Sequence, residues 1–153
     1  MRIGALAADR GEIHGPDVAV TGITASSDRV RAGDLFAAIP GRTAHGATFA
    51  PAAVGLGAVA VLTDEAGRAH VPAGVPLLVV PDVRAVLGEV AADVYGRPSA
   101  GLAMLGVTGT SGKTTTAYLL HAILEAAGLR PALLGTVESR IGGTRVAAER
   151  TTA

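Results

Sequence analysis

The sequence predicts an α/β protein in two parts: a first α/β domain over residues 1–97, and a second that starts near residue 98 and opens on a glycine loop. Three observations lead there. Strand-like and helix-like segments alternate along the chain, the pattern of a mainly parallel sheet flanked by helices. The strand candidates Ala58–Thr63 (AVAVLT) and Val75–Val80 (VPLLVV) are continuously apolar, as strands covered on both faces are. Finally, Gly109–Gly112 lies between an apolar run and a long helical run, a strand–loop–helix order suited to phosphate.

The elements follow in order. Val18–Ile23 is a β-branched run after the turn-like Gly15-Pro16-Asp17 and predicts a strand. Asp34–Ile39 predicts a second strand, ended by the turn-forming pair Pro40-Gly41. Thr48–Gly55 predicts a short helix in which Pro51 is tolerated because it falls in the first turn. After the two apolar strands, Val83, Val86, Leu87, Val90 and Val94 recur at helical spacing between a capping Asp82 and a terminating Gly96. Arg97–Ala100 predicts a linker. Beyond it come a buried strand at Leu102–Val107, the glycine loop, and a helix at Lys113–Ala127, about 22 Å long at 1.5 Å per residue. Gly128 stops that helix. Pro131–Leu134 predicts a further strand and Val137–Val146 a hairpin turning at Gly142-Gly143. These last elements are too few to close a sheet of ordinary size, so the sequence predicts a second domain that stops part-way.

Composition narrows the classes. The formal net charge is zero and aromatic residues make up 3% of the chain, which argues against electrostatic binding to nucleic acid or membrane and against base-stacking platforms. No apolar run approaches the ~20 residues of a membrane span, and the N-terminus does not read as a signal peptide. Cysteine is absent, which removes disulfides and thiolate metal sites. A cytoplasmic protein is expected. Of 13 basic residues, Lys113 is the only lysine, and it stands in the glycine loop, where a compact ammonium suits a crowded phosphate.

The loop reads Gly109-Thr-Ser-Gly-Lys-Thr-Thr115. A strand feeding a glycine turn into a helix aims several backbone N–H groups at one point, where the helix adds partial positive charge. Gly109 and Gly112 permit close backbone approach and positive φ. Lys113 is placed for the β- and γ-phosphates of ATP, the Thr114 hydroxyl for Mg²⁺, and Thr115 for a phosphate oxygen. The general phosphate-loop pattern has a glycine where this chain has Val107, so the match is to the shorter form G-T-x-G-K-T-T.

That form resembles the ATP loop of the Mur ligases, with Ser111 at a position where asparagine is common. The segments Ala117-Tyr-Leu-Leu120, Glu125–Gly128, Leu134-Gly-Thr136 and Arg140–Gly143 are similar to the E-type branch, which adds the third residue of the peptide. Gly33–Gly41, His45-Gly46 and Gly57–Val61 are similar to the UDP-binding N-terminal domain of the E- and F-type branches. The resemblance implies a UDP-muramoyl-substrate-binding domain at 1–97 and the start of a Rossmann-like, phosphate-loop ATPase domain at 98–153. It implies contacts to UDP-N-acetylmuramoyl-L-Ala-D-Glu at Ala25 and Ser27, at Arg42, Thr43 and Ala44, and at Arg150, Thr151 and Thr152. Only the serine of the family's D-S-R is kept within Ser26-Ser27-Asp28. The family uses ATP to convert a carboxylate to an acyl phosphate, which the amine of an incoming amino acid then attacks. Here Lys113 and Gly109–Thr115 would neutralise phosphoryl charge, with Mg²⁺ on Thr114.

Which amino acid is added, diaminopimelate or lysine, is not legible, and neither is the oligomeric state. No acidic magnesium ligand is recognisable after the loop, so a chain of this extent is expected to bind nucleotides without ligating. The four histidines suggest no metal site, and His45 in particular reads as a surface or turn residue. Three alternatives stand beside the E-type reading: an F-type or folylpolyglutamate synthetase-like ligase, an unrelated phosphate-loop enzyme, and a non-enzymatic UDP-sugar-binding module.

Overall fold

The computed structural model describes residues 1–147, which form two compact units, one spanning Met1–Leu102 and the other beginning at Ala103. The first contains α1 (Ile3–Ala7), β1 (Glu12–His14), β2 (Gly22–Thr24), β3 (Asp34–Ala37), α2 (Ala50–Gly55), β4 (Ala60–Thr63), β5 (Leu77–Val79) and α3 (Val83–Val94). Its five strands lie in the order β1-β5-β4-β3-β2. Strands β2 to β5 are parallel, and β1 closes one edge antiparallel to β5.

The apolar runs are buried on both faces, as their lack of alternation requires. Successive side chains of a strand point to opposite faces. Leu35 and Ala37 of β3, with Ala60 and Leu62 of β4, join Ile3 and Leu6 of α1 and Val83 and Val90 of α3 on one side. Phe36, Ala38 and Val61 face the other side and pack on Ala47, Ala50 and Ala53 around α2. Each fully buried Leu, Val or Phe stabilises the fold by about 1.5–3 kcal/mol. The α2 face is built largely from alanines, which lets that helix approach the sheet closely.

The predicted α3 is present and capped as expected. The Asp82 carboxylate accepts the Arg84 and Ala85 amides at 2.8 and 3.2 Å, and Gly96 ends the helix at φ +74°. The predicted strand at Val18–Ile23 is displaced towards its end. Ala19 bridges Arg2, and the Val20 amide donates to Met1, so the first half of that run pairs with the N-terminal segment and only Gly22–Thr24 joins the sheet. The predicted helix at Thr48–Gly55 divides into a 3₁₀ turn at Gly46–Phe49 and α2. Neither α1 nor β1 was predicted. They are five and three residues long, too short to show a periodicity, and burial of Ile3 and Leu6 holds α1 in place.

The second unit contains α4 (Lys113–Ala126), β6 (Leu133–Leu134), β7 (Glu138–Ile141) and β8 (Thr144–Ala147), with the strands in antiparallel order β6-β7-β8. The hairpin turns at Gly142-Gly143, where both φ angles are positive (+55° and +82°), the geometry that a two-residue turn of matching twist requires. The expected buried strand at Leu102–Val107 is not formed. Leu102, Met104 and Leu105 are more than 60% exposed, and the segment has no ladder partner among the described residues. A strand that reads as buried needs neighbours on its edges and faces. Tyr118 of α4 holds the hairpin: it hydrogen-bonds Glu138, while the Arg140 guanidinium lies 4.7 Å over its ring. Hydrogen bonds from Arg140 and Tyr118 hold the Glu138 carboxyl below the usual carboxylate range. No helix among the described residues is long and apolar enough to cross a membrane.

Candidate functional site

The glycine loop has the geometry its residues imply. Gly112 is the N-cap of α4 at φ +77°, and Gly109 lies at φ +145°, both in the region that favours glycine. The first-turn amides of Lys113, Thr114 and Thr115 have no acceptor within the helix and no partner among the described residues. An added Cβ at Gly112 would meet nothing within 4 Å. Lys113 Nζ folds back to donate to the Gly109 carbonyl at 2.5 Å, placing the ammonium over the loop. Thr110, Ser111, Thr114 and Thr115 are all exposed. Free amides, an adjacent ammonium and exposed hydroxyls at a helix N-terminus form a site for a polyphosphate. Among the described residues no group of three or more His, Asp or Glu side chains is arranged to hold a metal ion.

The candidate residues in the first unit follow neighbouring strands. Ala25 directly follows β2, Ser27 begins a short 3₁₀ turn, and Arg42, Thr43 and Ala44 lie beyond the end of β3. Because β2 and β3 are parallel and paired from Gly22–Asp34 to Thr24–Phe36, both loops leave the same, carboxyl edge of the sheet. Ligands bind at that edge in open α/β sheets. Ala25 and Gly41–Ala44 are exposed and Ser27 is half-buried. Arg150, Thr151 and Thr152 lie outside the described residues. An open cleft of about 500 Å³ borders β2 and includes Thr21, Arg31, Asp34 and Tyr95, but none of the candidate residues.

His45 closes the turn after β3, within the expectation of a surface or turn residue, and is bonded at both ring nitrogens. Its side chain is 16% exposed and bonds Asp64 through Nε2 at 2.9 Å, while Nδ1 accepts the Ala47 amide at 3.0 Å. Arg84 donates to the Pro40 carbonyl at 2.6 Å. His45 and the Arg84–Pro40 contact flank Gly41–Ala44, and neither long-range contact is legible in the sequence. Asp64 is 19 positions from His45 and Arg84 is 44 from Pro40, separations that no local motif spans.

The first unit is an α/β sheet with the candidate loops at its carboxyl edge, and the second presents a glycine loop at the N-terminus of α4. Comparison with known proteins narrows the class. Residues 19–95 match the model of the Mur ligase family, catalytic domain, and residues 107–153 match that of the Mur ligase middle domain. The chain belongs to the Mur ligase family. It is 53% identical to the UDP-N-acetylmuramoyl-L-alanyl-D-glutamate–2,6-diaminopimelate ligase of Streptomyces coelicolor, over 95% of this chain and 29% of that enzyme. It is 46% identical to the UDP-N-acetylmuramyl-tripeptide synthetase of Leifsonia xyli, over 94% of this chain and 28% of the relative. The chain therefore spans less than a third of the length of these relatives. Among solved structures it is similar to a MurF of Acinetobacter baumannii, with TM-score 0.65 and 27% identity over 80% of this chain and 27% of that one. It is also similar to a MurF of Thermotoga maritima in complex with ADP, with TM-score 0.55 and 27% identity over 70% of this chain and 24% of that one.

Proposed function

We propose that this chain supplies the UDP-substrate and ATP sites of a cytoplasmic ligase that adds the third residue to UDP-N-acetylmuramoyl-L-Ala-D-Glu during cell-wall precursor synthesis. The first unit takes the UDP-sugar at Ala25, Ser27 and Arg42–Ala44, and Arg150, Thr151 and Thr152 serve the muramoyl-dipeptide. The second unit takes Mg-ATP at Gly109–Thr115. Diaminopimelate is the amino acid that the relatives' names favour over lysine.

The observation that carries this reading is the loop itself: orphan amides, two glycines at positive φ and an ammonium already drawn over the loop. A carboxylate is a poor electrophile, and phosphorylation gives it a leaving group that an amine can displace. The protein's part is to fix the triphosphate and neutralise charge as it moves between oxygens. The loop amides hold the phosphates and Lys113 offsets their charge. Mg²⁺, held by Thr114 and the nucleotide, supplies further charge neutralisation when bound.

Titration with Mg-ATP tests the assignment. Lys113→Ala is expected to weaken binding about 10- to 100-fold, the effect of removing a charge-assisted contact of about 1.5–3 kcal/mol. Because Lys113 is exposed and bonds only its own loop, the melting temperature should not change. Equal ATP affinity in the variant would make the loop vestigial and favour a UDP-sugar-binding module.

A further inference from the structure

We infer that His45 and Asp64 form a tether that positions the Arg42–Ala44 loop for the uridine ligand, making His45 a positioning residue for substrate affinity. This rests on the proposed placement of the UDP substrate at that loop.

The loop is a narrow hairpin tip. Pro40 and His45 form an antiparallel bridge, the Gly41 amide donates to Ala44 at 3.0 Å, and the Gly46 amide donates to Ile39 at 3.1 Å. Its exposed residues 41–44 have no apolar burial to order them, so the ends set its conformation. On the His45 side, four bonds converge. Ring Nδ1 accepts from Ala47, so in the neutral ring the proton sits on Nε2 and is donated to Asp64 Oδ1. The same carboxylate oxygen accepts the Gly67 amide at 2.9 Å. The His45 carbonyl accepts the Thr48 hydroxyl at 2.7 Å.

Packing makes this position the tightest point behind the loop. A Cβ added at Gly67 would come within 2.1 Å of Thr63 Oγ1, 2.4 Å of His45 Cε1 and 2.9 Å of the Ala47 Cβ. The imidazole edge is therefore seated against the Gly67 backbone, beside a fully buried threonine hydroxyl that has no hydrogen-bond partner among the described residues. His70 stacks on the ring with centroids 6.3 Å apart. A helix cap alone needs only a short polar side chain. The aromatic ring, the reach to Asp64 and the glycine that admits it go beyond capping, and they link the loop after β3 to the loop after β4.

The test separates cap from tether. In His45→Asn the amide oxygen can still cap Ala47, but the side chain is too short to reach Asp64. In Asp64→Asn the side-chain oxygen can still accept both His45 and Gly67, whereas in Asp64→Ala it cannot. Binding of UDP and of Mg-ATP, and hydrogen exchange at the Gly41 and Gly46 amides, are measured for each. His45→Asn and Asp64→Ala should each weaken UDP binding about tenfold and speed exchange at both amides. Asp64→Asn should behave as wild type, the double variant should be no worse than either single one, and Mg-ATP affinity should be unchanged throughout. If wild type binds UDP and the amides exchange alike in all variants, the tether is wrong and the UDP assignment survives. If wild type does not bind UDP, both fall. If a variant unfolds, its ATP affinity and melting curve change with the rest, and a general structural role replaces the proposal.

Discussion

Gly67 and Gly88 make opposite predictions for the same substitution. Gly67 has φ −77° and ψ −18°, a conformation alanine adopts freely, and Gly→Ala at such sites ordinarily stabilises by about 0.4–1 kcal/mol through the unfolded chain. Here the new methyl would overlap Thr63 Oγ1, His45 Cε1 and Ala47 Cβ, two of which belong to fully buried residues. Relieving such overlap costs about 1–3 kcal/mol. The net loss is about 1–2 kcal/mol, equivalent to a fall of about 4–15 °C in the melting temperature of a unit this size. Gly88 stands mid-helix in α3 with nothing within 4 Å of its added Cβ, so Gly88→Ala should raise stability by about 0.5–1 kcal/mol. Thermal melting followed by circular dichroism reads both. If the Gly67→Ala protein melts at or above the wild-type temperature, His45 is not packed against that backbone.

Other outcomes follow from single residues. Asp82→Ala removes the cap of α3 and should cost about 1 kcal/mol in urea denaturation, leaving the slope unchanged. Leu62→Ala empties a fully buried site at the sheet centre and should cost about 2–5 kcal/mol. Asp93 bonds Arg10 at 2.8 Å and Arg97 at 2.7 Å; burial pushes its carboxyl up, but the two guanidiniums together outweigh that and hold it below the usual range. A depressed folded value stabilises above the unfolded value of about 3.9 and is lost as pH falls through the folded one. Urea midpoints should therefore drop below about pH 4, and Asp93→Asn should flatten that drop.

How much of this could be read from the chain depended on how local each signal was. The apolar runs at β4 and β5, the cap at Asp82 and the turn at Gly142-Gly143 are local, and each appears where the sequence places it. The glycine turn at Gly109–Gly112 and the helix that starts at Lys113 are legible for the same reason, each resting on neighbouring residues. The bracket around Arg42–Ala44 was not legible, since His45, Asp64, Gly67 and Arg84 meet only after β3, β4 and β5 have aligned. The apolar run at Leu102–Val107 misled because hydrophobicity marks what a segment can bury, whereas a strand also needs a partner. Burial of α1 by tertiary contacts is the converse case, a helix with almost no local signature.

Whether one chain carries two separate ligand sites is decided by a sequential titration. The protein is saturated with Mg-ATP and then titrated with UDP-N-acetylmuramoyl-L-Ala-D-Glu in a calorimeter. The second ligand should bind at one per chain and leave the nucleotide in place. Absence of binding, or displacement of the ATP, would rule out two separate sites.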